Sequence, residues 1–424
     1  MRLSRWGLAA ALALALAPSP ARGQAAGTDS TAAKSESDID AAESEAEVPR
    51  SVRVRWNDFD WKYSTFRFGG GILVDLAAYG QDDASKQQFT LAPDAGVRDF
   101  RLLFSGRFKT KRPLSWSIGY MYDGVENEWR FRQTGLMIGF PEAHGSLFIG
   151  RTKEGYSLVK VMTGYYGWAM ERSPSLEFIP ILADGVKWIG YFPKPRIFFN
   201  LGAFTDWLSE HEKFATYNHQ VVLRVGWLPI LSHDESELLH VAVMGRVGDP
   251  DEGSLQLRAR PGLNLAPYFL DTGKFAAQQA ATVGVEAYYR KGPWLYGAEY
   301  NWEQVDATSG ERPTFHGGDA VVSWLITGET RGYKTVGAYF VGVSPAGSVF
   351  RGGRGAWEAV LHASYTDFDS LSLHGGKFWR ITPMINWHLS EYTRLELAYG
   401  YGVLDRFGVQ GTTHFFQARI QITL

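Results

Sequence analysis

The sequence has no cysteine, no long apolar segment in its main part and no excess of charge of either sign. The lack of cysteine excludes a disulfide scaffold, a thiolate zinc site, an iron–sulfur cluster and a cysteine nucleophile. Beyond residue 25, no segment approaches the roughly 18 consecutive apolar residues that a membrane-spanning helix needs. The 424 residues include 43 Lys and Arg against 45 Asp and Glu, so the net charge does not indicate a nucleic-acid partner.

Motifs of catalysis and metal binding are also missing. The ten histidines are scattered, and none forms a His-x-x-x-His pair with a flanking glutamate. No Gly-x-Ser-x-Gly nucleophile motif occurs, and the glycine run 69–71 lacks the lysine of a phosphate-binding loop. We therefore expect no enzyme activity, no metal and no cofactor, with an outer-membrane barrel hydrolase as the remaining enzymatic alternative.

The N-terminal residues 1–25 have the pattern of a secretory signal. Arg2 and Arg5 precede an apolar stretch over residues 6–17, and small residues then allow cleavage after Ala21 or Ala25. The apolar stretch is too short for a membrane anchor, so the pattern predicts export.

A second compositional boundary follows this signal. Residues 26–50 are acidic and contain almost no large apolar side chain, which predicts a disordered or weakly helical spacer. Residues 51–424 remain as the main domain.

Glycine and aromatic residues are abundant in this main domain, which reads as short runs that alternate between apolar and polar residues. The chain has 47 glycines, and 14% of its residues are aromatic. The clearest alternating runs are 99–108, 115–122, 220–227, 239–244, 294–303 and 416–424. Such runs put an apolar face on one side of a strand and a polar face on the other.

The longer runs approach the roughly 9–12 residues that a tilted strand needs to cross a bilayer. Together with the aromatic residues near the run ends, they favour a transmembrane antiparallel β-barrel with an apolar outer face. About eighteen segments qualify as candidate strands. A large soluble β-protein is the alternative, although no blade-length repeat supports a propeller.

The connections between the runs differ in length. Residues 110–113 and 390–392 predict short periplasmic turns, whereas residues 80–96, 206–217 and 306–314 predict external loops. The longest irregular stretch, 154–185, follows the fifth strand, and a loop of that length in a barrel is typically functional. We expect it to fold inward and narrow the lumen.

Several motifs, in this order, resemble the phosphate-selective porins O and P of outer membranes. They are residues 153–158 (KEGYSL), 170–173 (MERS), 258–261 (RARP), 271–274 (DTGK), 323–331 (SWLITGETR), 355–358 (GAWE), 375–377 (GGK) and 386–387 (NW). The sequence departs from the family pattern at 159–164 (VKVMTG), where an acidic run is usual. It also departs at 178–182 (FIPIL), where an arginine is common, and at the terminal Leu424, which is often aromatic.

The resemblance implies a sixteen-stranded barrel in the outer membrane, usually a homotrimer, with the third loop folded into the lumen. It further implies passive diffusion of small anions, phosphate or polyphosphate among them, through a lumen lined by arginine and lysine. Porins selective for cations or carbohydrates, and general porins, remain the alternatives.

Selectivity in such a pore needs fixed positive charge at the narrowest point, because low-dielectric walls focus the field of a charge. Arginine is especially suited to phosphate oxygens, since its planar group donates two parallel hydrogen bonds. The candidates are Arg101, Arg107 and Arg224 on polar strand faces, with Lys153, Lys160 and Arg172 in or beside the long loop. Each could instead be paired with a carboxylate and serve only the polar interior.

Overall fold

A computed structural model describes residues 57–207 and 217–424. The predicted signal 1–25 and the acidic spacer 26–50 lie outside the described residues, as does most of the predicted external loop 206–217. Among the described residues, no helix is long and apolar enough to cross a membrane.

Sixteen antiparallel strands close into a barrel, each paired with its neighbours in the chain. The first eight are β1 Thr65–Gln81, β2 Asp94–Phe108, β3 Leu114–Asp123, β4 Glu128–Phe140, β5 Gly145–Thr152, β6 Ala183–Phe192, β7 Ile197–Thr205 and β8 Tyr217–Leu231. The others are β9 Glu237–Pro250, β10 Phe275–Lys291, β11 Trp294–Ala307, β12 Thr314–Leu325, β13 Ala356–Ser370, β14 Leu373–His388, β15 Thr393–Arg406 and β16 Val409–Thr423. Strand β1 pairs with β16 from Gly71↔Thr423 to Gln81↔Thr413, which closes the barrel.

The predicted sixteen-stranded barrel is therefore confirmed, and the count of eighteen candidate segments is too high. The connections contain short extended pairs of their own, such as Arg258–Ala259 with Leu270–Asp271 and Tyr333–Lys334 with Tyr339–Phe340. Because these pairs are locally strand-like, periodicity alone does not separate them from barrel strands.

Helical elements are short and lie mainly in the connections. The α-helices are Asp83–Gln88 and Leu158–Val161, and the 3-10 turns are Pro141–Ala143, Gly164–Tyr166, Pro174–Phe178, Asp251–Gly253 and Val349–Arg351.

The barrel is apolar outside and charged inside. Val243 and Leu397 on the outer face are 60% and 62% exposed, whereas Arg224 and Asn301 on the inner face are completely buried. This arrangement is the reverse of a soluble protein and fits an outer face in contact with lipid. All six alternating runs have the predicted orientation, with their polar residues on the inner face.

Aromatic side chains form bands near both ends of the strands. Trp294 stacks on Trp324 with ring centres 5.2 Å apart, at one end of β11 and β12. Farther along β11, the ring centres of Tyr300 and Trp302 are 4.7 Å apart. Bands of this kind mark the two membrane–water interfaces of a transmembrane barrel.

The barrel has a loop end, where β1 ends and β2 begins, and a turn end, where β2 ends and β3 begins. Loop 153–182 and loop 251–274 leave from the loop end, and loop 326–355 leaves from the turn end. Loop 153–182 corresponds to the predicted stretch 154–185, but strand β6 already begins at Ala183. The other two long loops were not predicted, because their glycines and short apolar runs resemble those of the strands.

Candidate functional site

Acidic side chains of β10 and β11 hold the first part of loop 153–182. The amide of Leu158 donates to Glu286 at 2.6 Å, and the amide of Val159 donates to Glu299 at 3.0 Å. Glu299 also accepts the hydroxyl of Ser157, the N-cap of the helix Leu158–Val161. These carboxylates therefore satisfy amides that the start of a short helix leaves without partners.

The loop tip, residues 165–168, is held through its carbonyl groups. Its four carbonyls and that of Met170 accept hydrogen bonds from side chains on three strands and loop 326–355. The donors are Gln421 to Tyr165 at 3.1 Å, Arg331 to Tyr166 at 2.8 Å, Arg394 to Gly167 at 2.6 Å, Asn386 to Trp168 at 2.9 Å, and Arg419 to Met170. The arginines among them thus use part of their hydrogen-bonding capacity on backbone.

A cavity of about 40 Å³ lies beside the loop tip. Its charged lining consists of four arginines and three carboxylates, together with His362: Arg98, Arg101, Arg172, Arg419, Asp99, Glu171 and Asp319. A space of this size holds one or a few water molecules. It is the point where positive side chains of the wall and of the loop come together.

The missing side chain of Gly164 leaves room for two guanidinium groups beside the cavity. A Cβ atom on Gly164 would lie 3.4 Å from one terminal nitrogen of Arg101 and 3.9 Å from one of Arg172. Two guanidinium groups from different elements therefore approach the same small space. Gly71 on β1 has a related role, because a Cβ atom there would lie 2.9 Å from the hydroxyl of Tyr165.

The carboxylate of Glu171 balances part of this positive charge. Arg98 contacts its two oxygens at 3.0 and 3.2 Å, and Arg419 contacts it as well. Burial by itself would raise the pKa of Glu171, but the guanidinium groups of Arg98 and Arg419 outweigh burial and lower the pKa to about 2. Glu171 is therefore ionised at any physiological pH.

Two of the six predicted selectivity residues lie at the cavity. Arg101 donates to Asp99 at 2.7 Å and lies over the ring of Tyr165, 4.4 Å from its centre. Arg172 donates to the carbonyl groups of Val159 and Met162 at 3.0 and 3.3 Å.

The two predicted lysines are buried inside the loop. Lys153 donates to the carbonyl of Met162 at 2.9 Å, and Lys160 donates to that of Ile179 at 2.8 Å. Burial lowers the pKa of Lys160 to about 8, although Glu177 opposes the shift.

The last two predicted residues lie away from the cavity lining. Arg224 is completely buried, 2.6 Å from Glu286 and 2.9 Å from the carbonyl of Ala338. Arg107 is half-buried near the turn end of β2, where its amide donates to Thr65.

Sequence reasoning missed Arg98 and Arg419 as members of this site. Arg419 was visible, since it lies on the polar face of the last alternating run. Arg98 was not, because it lies at an irregularity in the pairing of β1 with β2, between Leu73 and Val74, that shifts the alternation. In the described part of the chain, no group of three or more His, Asp or Glu side chains could hold a metal ion.

A family model described as phosphate-selective porin O and P matches residues 66–423, nearly the whole barrel. The chain belongs to this family. The cavity and the loop beside it therefore lie in an outer-membrane β-barrel of the phosphate-selective porin O and P family.

Solved structures agree with this fold. The anion-selective porin from Comamonas acidovorans has a TM-score of 0.54 at 13% identity, over 85% of this chain and 100% of that chain. OmpT of Vibrio cholerae has a TM-score of 0.56 at 10% identity, over 87% and 100% of the two chains. The outer membrane channel DcaP of Acinetobacter baumannii has a TM-score of 0.54 at 10% identity, over 86% and 99%.

One curated relative, an uncharacterized protein of Caulobacter vibrioides, is 30% identical over 170 residues, which are 40% of this chain. The match spans about a third (33%) of that relative's length.

Proposed function

We propose that this protein is an outer-membrane porin through which small anions, phosphate among them, diffuse passively. The observation that carries the proposal is the group of arginines around the cavity beside the tip of loop 153–182. Arg98 and Arg101 belong to the wall, Arg172 belongs to the loop, and Arg419 comes from the last strand. Family membership and the anion-selective porin from Comamonas acidovorans support the same function.

Loop 153–182 is the constriction in this proposal. Its backbone bonds to inner-face side chains of β10 and β11 and of β14, β15 and β16, which are well separated around the barrel. A loop bonded to such separated walls crosses the space between them and leaves a narrow passage. In a narrow, low-dielectric passage, even a small excess of positive charge attracts anions and repels cations.

The remaining parts of the proposal are export, orientation and assembly. The signal 1–25 is removed after export, the turn end faces the periplasm, and the protein acts without catalysis. A homotrimer is supported by one similar structure, OmpT of Vibrio cholerae in its trimer form.

The proposal is tested by recording single channels in planar bilayers with a KCl gradient and with phosphate as a competitor of chloride. We expect a reversal potential on the anion side and a reduction of chloride current by phosphate. Arg101→Gln and Arg172→Gln should each lower the anion/cation permeability ratio about two-fold, because each removes one positive charge from the narrow point.

Arg107→Gln is the matched control, since it removes an arginine from the same face of β2 outside the cavity lining, and its effect should be smaller. A cation-selective wild-type channel would contradict the proposal. Equal effects of all three variants would instead show that the cavity does not determine the selectivity of the pore.

A second candidate function is a cation porin, favoured by the acidic inner faces of β11 and β12. Glu299, Glu303 and Asp319 are all buried there. Glu299, however, is bonded to the loop, so this wall offers a solute less charge than its composition suggests. The reversal potential decides between the two candidates.

A further inference from the structure

Glu358 on the inner face of β13 is the centre of a buried polar cluster. It is completely buried and accepts hydrogen bonds from four side chains. The donors are Ser323, Arg331 at 2.6 Å, Asn386 at 3.1 Å and His388 at 3.1 Å. We call these five residues the Glu358 cluster.

The cluster gathers residues from three motifs that are far apart in the sequence. Ser323 and Arg331 are the first and last residues of the motif 323–331, Glu358 ends the motif 355–358, and Asn386 begins the motif 386–387. None of these motifs contributes a side chain to the lining of the cavity. Their common feature in the structure is contact with one carboxylate.

Two members of the cluster also hold the loop tip. Arg331 directs one terminal nitrogen to Glu358 and the other to the carbonyl of Tyr166, at 2.6 and 2.8 Å. Asn386 donates one amide hydrogen to Glu358 and has a second for the carbonyl of Trp168, at 3.1 and 2.9 Å. The carboxylate thus fixes the orientation of both donors without touching the tip itself.

Loop 326–355 reaches the tip from the turn end of the barrel. In addition to Arg331, it brings Gly342 so close that a Cβ atom there would lie 2.9 Å from the ring of Tyr166. Phe340 of the same loop packs near Trp168, with ring centres 6.2 Å apart. The tip of a loop from one end of the barrel is therefore supported by a loop from the other end.

We propose that Glu358 is a positioning residue that sets the constriction: through Arg331 and Asn386 it fixes how far the tip of loop 153–182 projects into the lumen. This inference rests on the proposed function, in which loop 153–182 narrows the pore. Without the carboxylate, Arg331 loses its partner and both donors lose their fixed orientation, so the tip moves and the passage widens.

The first measurement is single-channel conductance of Glu358→Gln in the full chain. We expect conductance to rise about two-fold and anion selectivity to fall, because conductance and selectivity both depend on the narrowest section. Asn386→Ala should change both in the same direction but less, since it releases only Trp168 and leaves Glu358 its other donors. A purely structural role for Glu358 would lower the unfolding temperature without changing either property of the folded channels.

The second measurement reports the position of the tip directly. The chain contains no cysteine, so Tyr166→Cys with Gly342→Cys introduces the only possible disulfide. A Cβ atom on Gly342 would lie 3.7 Å from Cγ of Tyr166, which brings the two positions within reach of a disulfide, whose Cβ atoms are about 4 Å apart. We expect oxidation to cross-link this double variant efficiently, and adding Glu358→Gln should lower the yield several-fold.

Arg380→Gln is the matched control for cross-linking. Arg380 is a buried inner-face arginine that donates to the carbonyl groups of Pro261 and Gly262, in loop 251–274, at 2.7 and 3.3 Å. It should leave the cross-linking yield unchanged. An equal loss of yield in Arg380→Gln would indicate general loosening of the barrel and would overturn the inference.

Conductance and cross-linking equal to the parent chains would also overturn it. If Glu358→Gln does not fold, Asn386→Ala decides in the same two assays, and unchanged values for it overturn the inference. A wild-type protein that forms no channel contradicts the proposed function instead, while cross-linking still tests the position of the tip.

Discussion

Two parts of the inner wall hold the same loop in opposite ways. On β10 and β11, the carboxylates of Glu286 and Glu299 accept hydrogen bonds from amides at the start of a short helix. On β15 and β16, Arg394 and Arg419 donate to carbonyl groups near the loop tip. Each wall thus carries the sign of charge that complements the backbone groups facing it.

The charge that a lumen presents to a solute therefore cannot be counted from its residues alone. Arg224 is completely buried and bonded to Glu286, so it contributes to loop anchoring rather than to a surface for solutes. At the cavity beside Gly164, in contrast, guanidinium groups approach a space without a side chain. In the proposed function, selectivity depends on the second kind of arginine, whereas the first kind anchors the loop.

The largest effect is expected from Glu286→Gln, which removes one of the two carboxylates of the acidic wall, Glu286 and Glu299 on β10 and β11. Glu286 accepts from Arg224, His240 and the amide of Leu158, so the substitution leaves a buried arginine without its charge partner. Loss of one member of a buried ion pair costs about 3 kcal/mol. We expect a lower unfolding temperature and protease cleavage within loop 153–182.

Glu252→Gln is the control for this change. Glu252 forms an exposed ion pair with Lys274 at 3.4 Å, and such pairs contribute little to stability. Equal stability of Glu286→Gln and Glu252→Gln would show that the acidic wall does not anchor the loop.

An intermediate effect is expected from pH, through Lys160 within the loop itself. Its pKa of about 8 lies below the ordinary value of 10.5, because burial disfavours the charged form. The charged lysine therefore destabilises the folded loop below pH 8, and this penalty disappears as the pH rises from about 8 to 10.5. Lys160 also loses its positive charge as the pH rises through about 8.

We expect the anion/cation permeability ratio to fall by a factor of about two between pH 7 and pH 9, measured from reversal potentials. Burial causes most of the pKa shift, and the charged neighbours Glu177, Arg172, Glu154 and Arg246 adjust the midpoint. In Lys160→Met this pH dependence should be clearly weaker. A variant that keeps the wild-type dependence would assign the titration to another group.

The smallest effect is expected from Gln421→Leu on β16, whose side chain donates to a carbonyl of the loop tip. Gln421 donates a neutral hydrogen bond of 3.1 Å to the carbonyl of Tyr165 and accepts one from Arg394. We expect a loss of about 1 kcal/mol, measured as the free energy of unfolding. Gln410→Leu, at an exposed position of the same strand, is the control. If Gln421→Leu lowered the free energy of unfolding as much as Glu286→Gln, charged and neutral side chains would hold the loop equally strongly.

Much of the fold was readable from the sequence because strand alternation is a local property. The orientation of all six alternating runs is confirmed by the burial of their residues. The position of loop 153–182 was also predicted to within a few residues, because it interrupts the strand rhythm after β5. Loop 326–355 was missed, since nothing local reveals that it enters the barrel from the end where short turns were expected.

The candidate site was only partly readable. Arg101 and Arg172 were predicted and lie at the cavity, and their role in selectivity stays a prediction. Arg98 was hidden by the irregular pairing of β1 with β2. Lys153 and Lys160 were predicted from their place in the loop, but a sequence does not indicate that their ammonium groups are occupied by backbone carbonyls.

The sequence alone was enough to favour a barrel and to assign the polar face of the six clearest alternating runs. Both follow from the period of two, which any extended chain imposes on its side chains. Which charged side chains meet one another, in contrast, depends on how the strands and loops are arranged in three dimensions. Glu358, Arg331 and Asn386 become neighbours of one loop tip because barrel closure and two long loops bring distant segments together. Such contacts depend on register and loop path, and neither is encoded in the local pattern of residues.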